Sequence, residues 1–363
     1  MPHVLGRIAA HRRALQAVLH CGLGRAHRAS PAAGLRLEAT YGAPVLLSGV
    51  APLLLTTSEL SALHSHYRTT IRQILRLPKN SPECFIMLLA GTLPLTALLH
   101  LRMLTLLGMI ARLGPAGILN RVGRHALLTA TNRHSWFVAV RKVSQKYGLQ
   151  DPLLVLQQPP TRGRWKATCR SAVTIWWLGH FRGQAAILSS LKYCKYHFFS
   201  LSTPHPTITT ARSPYEVARA TTVATMLSGR YATDHRARRW DHANPTGRCR
   251  LCPPAPDHPA PEGSLEHQLL YCPALQEART RVLQRWASYR GTHPHLAPLL
   301  AHHMGTEEAF MGFLLDPSSC PLVLALARDH GQVLDECHHM SRMWCHSIHV
   351  FRQRKLRRLG ILK

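Results

Sequence analysis

Apolar residues recur at intervals of three and four along most of this chain, and no stretch alternates regularly enough to mark a strand, so the pattern predicts a mainly α fold. Residues 1–30 set Val4, Leu5, Ile8, Leu15, Val18 and Leu19 among Arg and His residues, a helix with one apolar face that Gly22 and Gly24 should end. Tyr41 to Leu55 is apolar but broken by Gly42, Pro44, Gly49 and Pro52, and should be buried and partly irregular. The capping box Thr56-x-x-Glu59 opens a helix with Leu60, Leu63, Tyr67, Ile71 and Ile74 on one side and Pro78 past its end. On another side His64, Arg68, Arg72 and Arg76 recur every fourth residue, a line of positive charge suited to phosphate.

Residues 85–110 are the most apolar, yet Gly91, Pro94, His100 and Arg102 interrupt them, which predicts a buried helix pair rather than a membrane span of about twenty unbroken apolar residues. An amphipathic helix follows over Ser135–Tyr147, and Asp151 to Pro160 reads as a linker. From Trp165 to Phe199, Trp165, Trp176, Trp177, Phe181, Tyr193 and Tyr196 are interleaved with Lys and Arg, as a helix core and rim or as a surface that stacks on single strands. Ser213-Pro214-Tyr215-Glu216 is a second capping box, and Gly229 a plausible stop. Helix-like stretches resume from Pro273 to Tyr289 and run to the basic end Arg352–Arg358, a patch suited to nuclear import or phosphate.

The charge changes the picture. Among 363 residues, 45 Lys and Arg face 17 Asp and Glu, a net +28, and such a field favours a polyanionic partner. The 46% hydrophobic share still allows a real core and about two domains. Ten cysteines without a secretory signal read as reduced thiols of an intracellular protein, nuclear or cytoplasmic, although Arg7, Arg12, Arg13, Arg25 and Arg28 weakly imitate a mitochondrial presequence. No membrane partner and no small-molecule substrate is evident.

The chemistry concentrates in Cys249-Arg250-Leu251-Cys252, then His267, then Cys272. Two thiolates on a tight turn, an imidazole and a third thiolate form the ligand set of a structural zinc ion, with His267 and Cys272 slightly over one helical turn apart. His258, in a proline-flanked loop, is the weaker candidate for the imidazole. Such a zinc should organise its own short, proline-rich segment and little else. Arg236, Arg238, Arg239 and Trp240 lead into this stretch as a basic, aromatic strip suited to nucleic acid.

Along most of its length the chain resembles the region after the catalytic palm in the polyprotein of LINE-type (non-LTR) retrotransposons. The likeness runs through Tyr41-Gly-Ala-Pro-Val-Leu-Leu-Ser-Gly49, Leu93-Pro94, Met109-Ile-Ala-Arg-Leu113, Ser135-Trp-Phe137, Met226-Leu-Ser-Gly-Arg-Tyr231, Asn244-Pro-Thr-Gly247 and Leu314-Leu-Asp-Pro-Ser318. Its most specific part is the CCHC knuckle at Cys249, Cys252, His267 and Cys272. The resemblance implies a thumb-like helical domain over 1–150, a basic and aromatic helical linker over 151–243, the zinc knuckle over 244–275 and a helical basic tail over 276–363. It implies binding to RNA or DNA of the element. The spacer before His267 is longer than the family's shortest knuckles. The paired aspartates with which a polymerase palm holds divalent ions are absent, because no Asp-Asp occurs and no fingers or palm precede residue 40, so no catalysis is expected and the chain looks like a detached C-terminal piece.

Two other readings compete. A metal-dependent nuclease in the tail would draw on Asp316 and Asp329, but Pro317 follows the first aspartate where such nucleases place proline before it. A protein-interaction adapter would use zinc only as a staple. A second metal site over Cys337-His338-His339 and Cys345-His346-x-x-His349 is strained by distance, since Cys337 and Cys345 lie about 12 Å apart along a continuous helix.

Overall fold

The computed structural model of the protein describes residues 2–18, 30–129, 134–195, 199–239, 241–254, 259–292, 294 and 296–362. Gly22, Gly24, Arg25, Arg28, Tyr196, Trp240 and His258 lie outside them. Among the described residues the fold is mainly α, with eighteen α-helices, no strand and one isolated antiparallel bridge between Arg248 and Glu262. The chain divides into two compact units.

The first unit comprises Met1–Leu75, Glu83–Ala185 and Ser200–Pro204. Its opening helix, Pro2–Val18, buries Val4 and Ile8 and carries His11, whose Nε2 lies 3.0 Å from the equally buried Glu38 carboxylate. The apolar stretch after it is broken as the glycines and prolines require, into a π-helical turn Glu38–Gly42 and a short helix Ala43–Leu46. It is buried at Leu46, Leu47 and Val50, but Tyr41, Leu53 and Leu54 face solvent. The capping box forms in full: Thr56 Oγ1 accepts from Glu59 N and the Glu59 carboxylate accepts from Thr56 N at 3.0 Å, opening the helix Thr57–Ile74.

That helix does not carry the whole charged stripe. It ends at Ile74, and Arg76, with φ of 56°, stands in the left-handed conformation beyond it and belongs to the second unit. His64 lies 2.7 Å, and Arg68 3.6 Å, from the Glu83 carboxylate, so two of the four residues of the line share one acidic partner.

The helices Glu83–Ala90 and Leu95–Ala111 are the expected buried pair, bent by 62° at a break where Gly91 takes a φ of 60° and where an added Cβ would collide with the Thr203 backbone. Among the described residues no single helix is long and apolar enough to cross a membrane. The stretch read as a linker is instead a helix, Pro152–Gln157, because the Asp151 carboxylate caps it by accepting from Leu153 N at 2.8 Å and Val155 and Leu156 are buried. In the helix Arg162–Ile187 the residues Trp165, Cys169, Val173, Trp177, Phe181 and Ala185 form a buried stripe at intervals of four. The aromatics there are therefore mostly core. Trp176, half-buried, holds Lys146 Nζ 3.9 Å over its ring.

The second unit comprises Arg76–Pro82, Ala186–Phe199 and His205–Lys363. Its longest helix, Val333–Arg358, packs against Pro214–Leu227, Gln276–Thr292 and Glu307–Leu315. Ser213 caps the helix at Pro214 as expected, but only half the box forms, since the Glu216 carboxylate is drawn to Arg342 at 2.6 Å and Arg219 at 2.9 Å. The basic end forms the last two turns of the long helix, and Arg352 there is buried against Asp234 at 3.3 Å, which leaves Arg354, Arg357 and Arg358 exposed.

Candidate metal centre

Backbone pairing sets the first two ligands. Cys249 N donates to Pro261 O at 2.8 Å and Gly263 N to Gly247 O at 2.9 Å, so the Arg248–Glu262 bridge closes the base of the loop. Gly247, with φ of 68°, is pressed against the short helix Asp234–Ala237: a Cβ there would come within 2.8 Å of His235 Cα. Cys249 and Cys252 then sit on one tight turn with both thiols inward.

The other two ligands sit on a turn of unexpected form. His267–Tyr271 is π-helical, and Cys272 N donates to His267 O at 2.6 Å, five residues back. An α-helix would rotate these two side chains well apart, whereas the wider i→i+5 turn stacks them on one side. Ser264 Oγ accepts from His267 N at 3.1 Å and starts the turn.

The four side chains converge. Cys249 Sγ lies 3.8 Å and Cys252 Sγ 3.5 Å from Cys272 Sγ, and Cys252 Sγ lies 3.4 Å from His267 Nε2. All four ligand atoms fall within 4.8 Å of one another, all four residues are buried, and together they could hold one metal ion. A hydrogen bond from Cys272 pushes the Cys249 thiol down, and the same bond pushes Cys272 up. Burial raises Cys252. A cluster in which one thiol is already poised to ionise is set up for a cation.

Residues outside the motif complete the surroundings. Buried Arg279 donates to the carbonyl of Cys272 at 2.6 Å and is oriented by Gln276 Oε1 at 2.8 Å. Three thiolates around a dication would leave one net negative charge, which a buried guanidinium beside them would balance. Trp344 Nε1, on the long helix, donates to Leu269 O at 3.2 Å. Asp234 accepts from Arg250 N at 3.4 Å and pairs with Arg352 at 3.3 Å, so one buried carboxylate ties the knuckle to the tail. The knuckle is thus built into the second unit, and is less self-contained than its length and prolines imply.

Of the expected nucleic-acid residues, Arg236, Arg238 and Arg239 line a cavity beside His267, while His64, Arg68 and Arg72 lie on the other unit and Arg76 on this one. Arg279 belongs to no motif in the sequence, and its place seven residues past Cys272, two helical turns on, is the signal that marks it.

The alternative sites do not assemble. Asp316 is fully buried, accepts from Ser318 Oγ at 2.5 Å and lies 3.3 Å from His205 Nε2, while Asp329 is exposed at the end of another helix. Cys345 Sγ donates to Leu314 O at 3.3 Å, and His346 and His349 bond Thr222 and Tyr231. Among the described residues the CCHC set is the one group of three or more side chains placed to share an ion. Comparison with family models, with curated proteins and with solved structures finds no match to this chain.

Proposed function

We propose that the protein is a zinc-dependent nucleic-acid-binding module, with zinc on Cys249, Cys252, His267 and Cys272, RNA or DNA as partner, and no catalysis of its own. The observation that carries this is the shape of the ligand cluster. Zinc–sulfur bonds of about 2.3 Å and zinc–nitrogen bonds of about 2.0–2.1 Å at tetrahedral angles put sulfurs about 3.8 Å apart and sulfur about 3.5 Å from nitrogen. The Sγ–Sγ separations of 3.8 and 3.5 Å and the Sγ–Nε2 separation of 3.4 Å fit that figure. Bound zinc would offset two of the three thiolate charges and fix the loop.

Nucleic acid as partner is supported by the net charge of +28 and by the arginines massed beside the cluster. The resemblance to the post-palm region of LINE-type retrotransposon proteins points the same way, and on this reading the chain is related to such a protein. The burial of Asp316 argues against the nuclease reading. An adapter reading draws on the helix Ile118–Thr129, which exposes Ile118, Leu119, Val122 and Leu128.

Metal analysis and salt titration decide. The purified chain should hold one zinc, and His267→Ala should lose it and weaken nucleic-acid binding, whereas His258→Ala should do neither. The logarithm of affinity should fall with the logarithm of salt by about 0.7 per phosphate neutralised on single strands and about 0.9 on duplex. A flat plot would favour the adapter, and a chain without zinc would sink the proposal.

A further inference from the structure

A cavity of about 710 Å3 opens beside the metal cluster, within the range of about 300–1,000 Å3 that small-ligand pockets occupy. Three segments wall it: the Ser189–Tyr193 turn, the Gly229–Arg239 stretch, and the arm from Glu262 to Tyr271 that carries His267. Gly229, with φ of 61°, clamps the first two together, since an added Cβ would run into Ser190 O.

Its charges do not cancel. Glu266 is taken by Lys192 and by the Tyr193 hydroxyl, Glu262 by His235, and Glu307 by the Tyr271 hydroxyl at 2.7 Å. That uses the carboxylates, and among the described residues no ion pair is formed by Arg230, Arg236 or Arg239. Arg230 Nε is buried without a hydrogen-bond partner. Burial, and then the nearness of Arg230 and Arg239, holds Arg236 below the usual guanidinium range, so like charges crowd one wall. Guanidiniums so placed repel one another until an anion with several acceptor oxygens sits between them. On the rim, Tyr271 is 54% exposed and steadied by its hydroxyl, which donates to Glu307.

We propose that this cavity receives one unpaired nucleotide of a single strand, its phosphate on Arg230, Arg236 and Arg239 and its base against the face of Tyr271. The assignment rests on the nucleic-acid reading above and narrows it to unpaired residues, because a base inside a duplex presents no free face to a tyrosine. An acidic peptide could satisfy the arginines, but it would leave the aromatic face unused and would meet the carboxylates of Glu262, Glu266 and Glu307.

The test uses the full zinc-loaded chain, with fluorescence anisotropy on a labelled oligothymidylate and on a blunt duplex. Tyr271→Ala should weaken single-strand binding about fivefold or more, the loss of one stacked base, and leave duplex binding unchanged. Tyr271→Phe should bind single strands like the wild type, which separates stacking from the bond to Glu307. Arg236→Gln should reduce the single-strand salt slope by about 0.7. Zinc content and circular dichroism are measured on each variant, and the arginine variant carries the test if the alanine variant misfolds. Equal loss on both substrates, no loss on either, or displacement of the oligothymidylate by polyglutamate of matched charge would overturn the proposal. A wild-type chain that binds neither substrate defeats the broader nucleic-acid reading, whereas wild-type binding with indifferent variants defeats only the cavity assignment.

Discussion

Arg279 sits where the chemistry of the cluster is most sensitive to a single atom. It holds the carbonyl of Cys272 and is itself buried, so burial lowers its affinity for a proton while the neighbouring thiols raise it. Arg279→Met keeps the bulk and removes the charge and the bond. Zinc affinity should fall about 10- to 100-fold, as for other residues that orient metal ligands, and a competition titration with a chromophoric chelator measures it. Unchanged affinity would mean that the guanidinium serves packing alone. The cluster of Cys249, Cys252, His267 and Cys272 was legible in the sequence because thiol and imidazole spacing is local. Asp234, which joins Arg250 to Arg352, was not, because its partners stand 16 and 118 residues away and only folding brings them together.

At the scale of elements, signals carried within one turn of chain held. The box at Thr56 formed as written and the apolar stripe of Arg162–Ile187 went to the core. What failed was competition: Glu216 left its capping role for Arg342, and Asp151 began a helix in a stretch whose prolines suggest a linker. The π-turn at His267–Tyr271 has no periodic signature, since one inserted residue shifts the repeat only once. The loop before it depends on Gly247, whose left-handed φ and contact with His235 leave no room for a side chain. Gly247→Ala should cost about 1 kcal/mol or more in backbone strain alone and lower zinc affinity with it. Wild-type affinity in that variant would show that the turn can re-form elsewhere.

For the molecule as a whole, protons should matter more than its basic surface implies. Burial holds His100 at about 4 in one unit and His338 at about 3 and His349 at about 4 in the other, all below the ordinary value of 6.5. The unfolded chain binds these protons first, so their stability is fully present above about pH 6.5 and drains away as pH falls toward the folded values. For the fully buried His338 the loss is about 1.4 kcal/mol per pH unit across that window. Urea denaturation between pH 7 and pH 4 should show the fall, and His100→Gln should flatten it in the unit without the cluster. A pH-independent midpoint would contradict the burial of these rings.

Nine cysteines among the described residues are free and buried. Burial pushes Cys169, Cys320 and Cys337 up to about 12 and raises Cys84 and Cys345 as well. The thiolate is the form that attacks an alkylating reagent, so these positions are slow to react while the fold holds, and the cluster thiols would be shielded as long as an ion occupied them. The protein therefore carries its own map of how far the ordering by a bound ion would reach. After chelation, iodoacetamide and peptide mass spectrometry should find Cys249, Cys252 and Cys272 modified first. Cys337 and Cys345 should follow, because Trp344 and Arg352 couple the long helix to the knuckle, while Cys84 and Cys169 in the other unit stay unmodified. Labelling confined to the three cluster cysteines would show that the long helix stands without the ion.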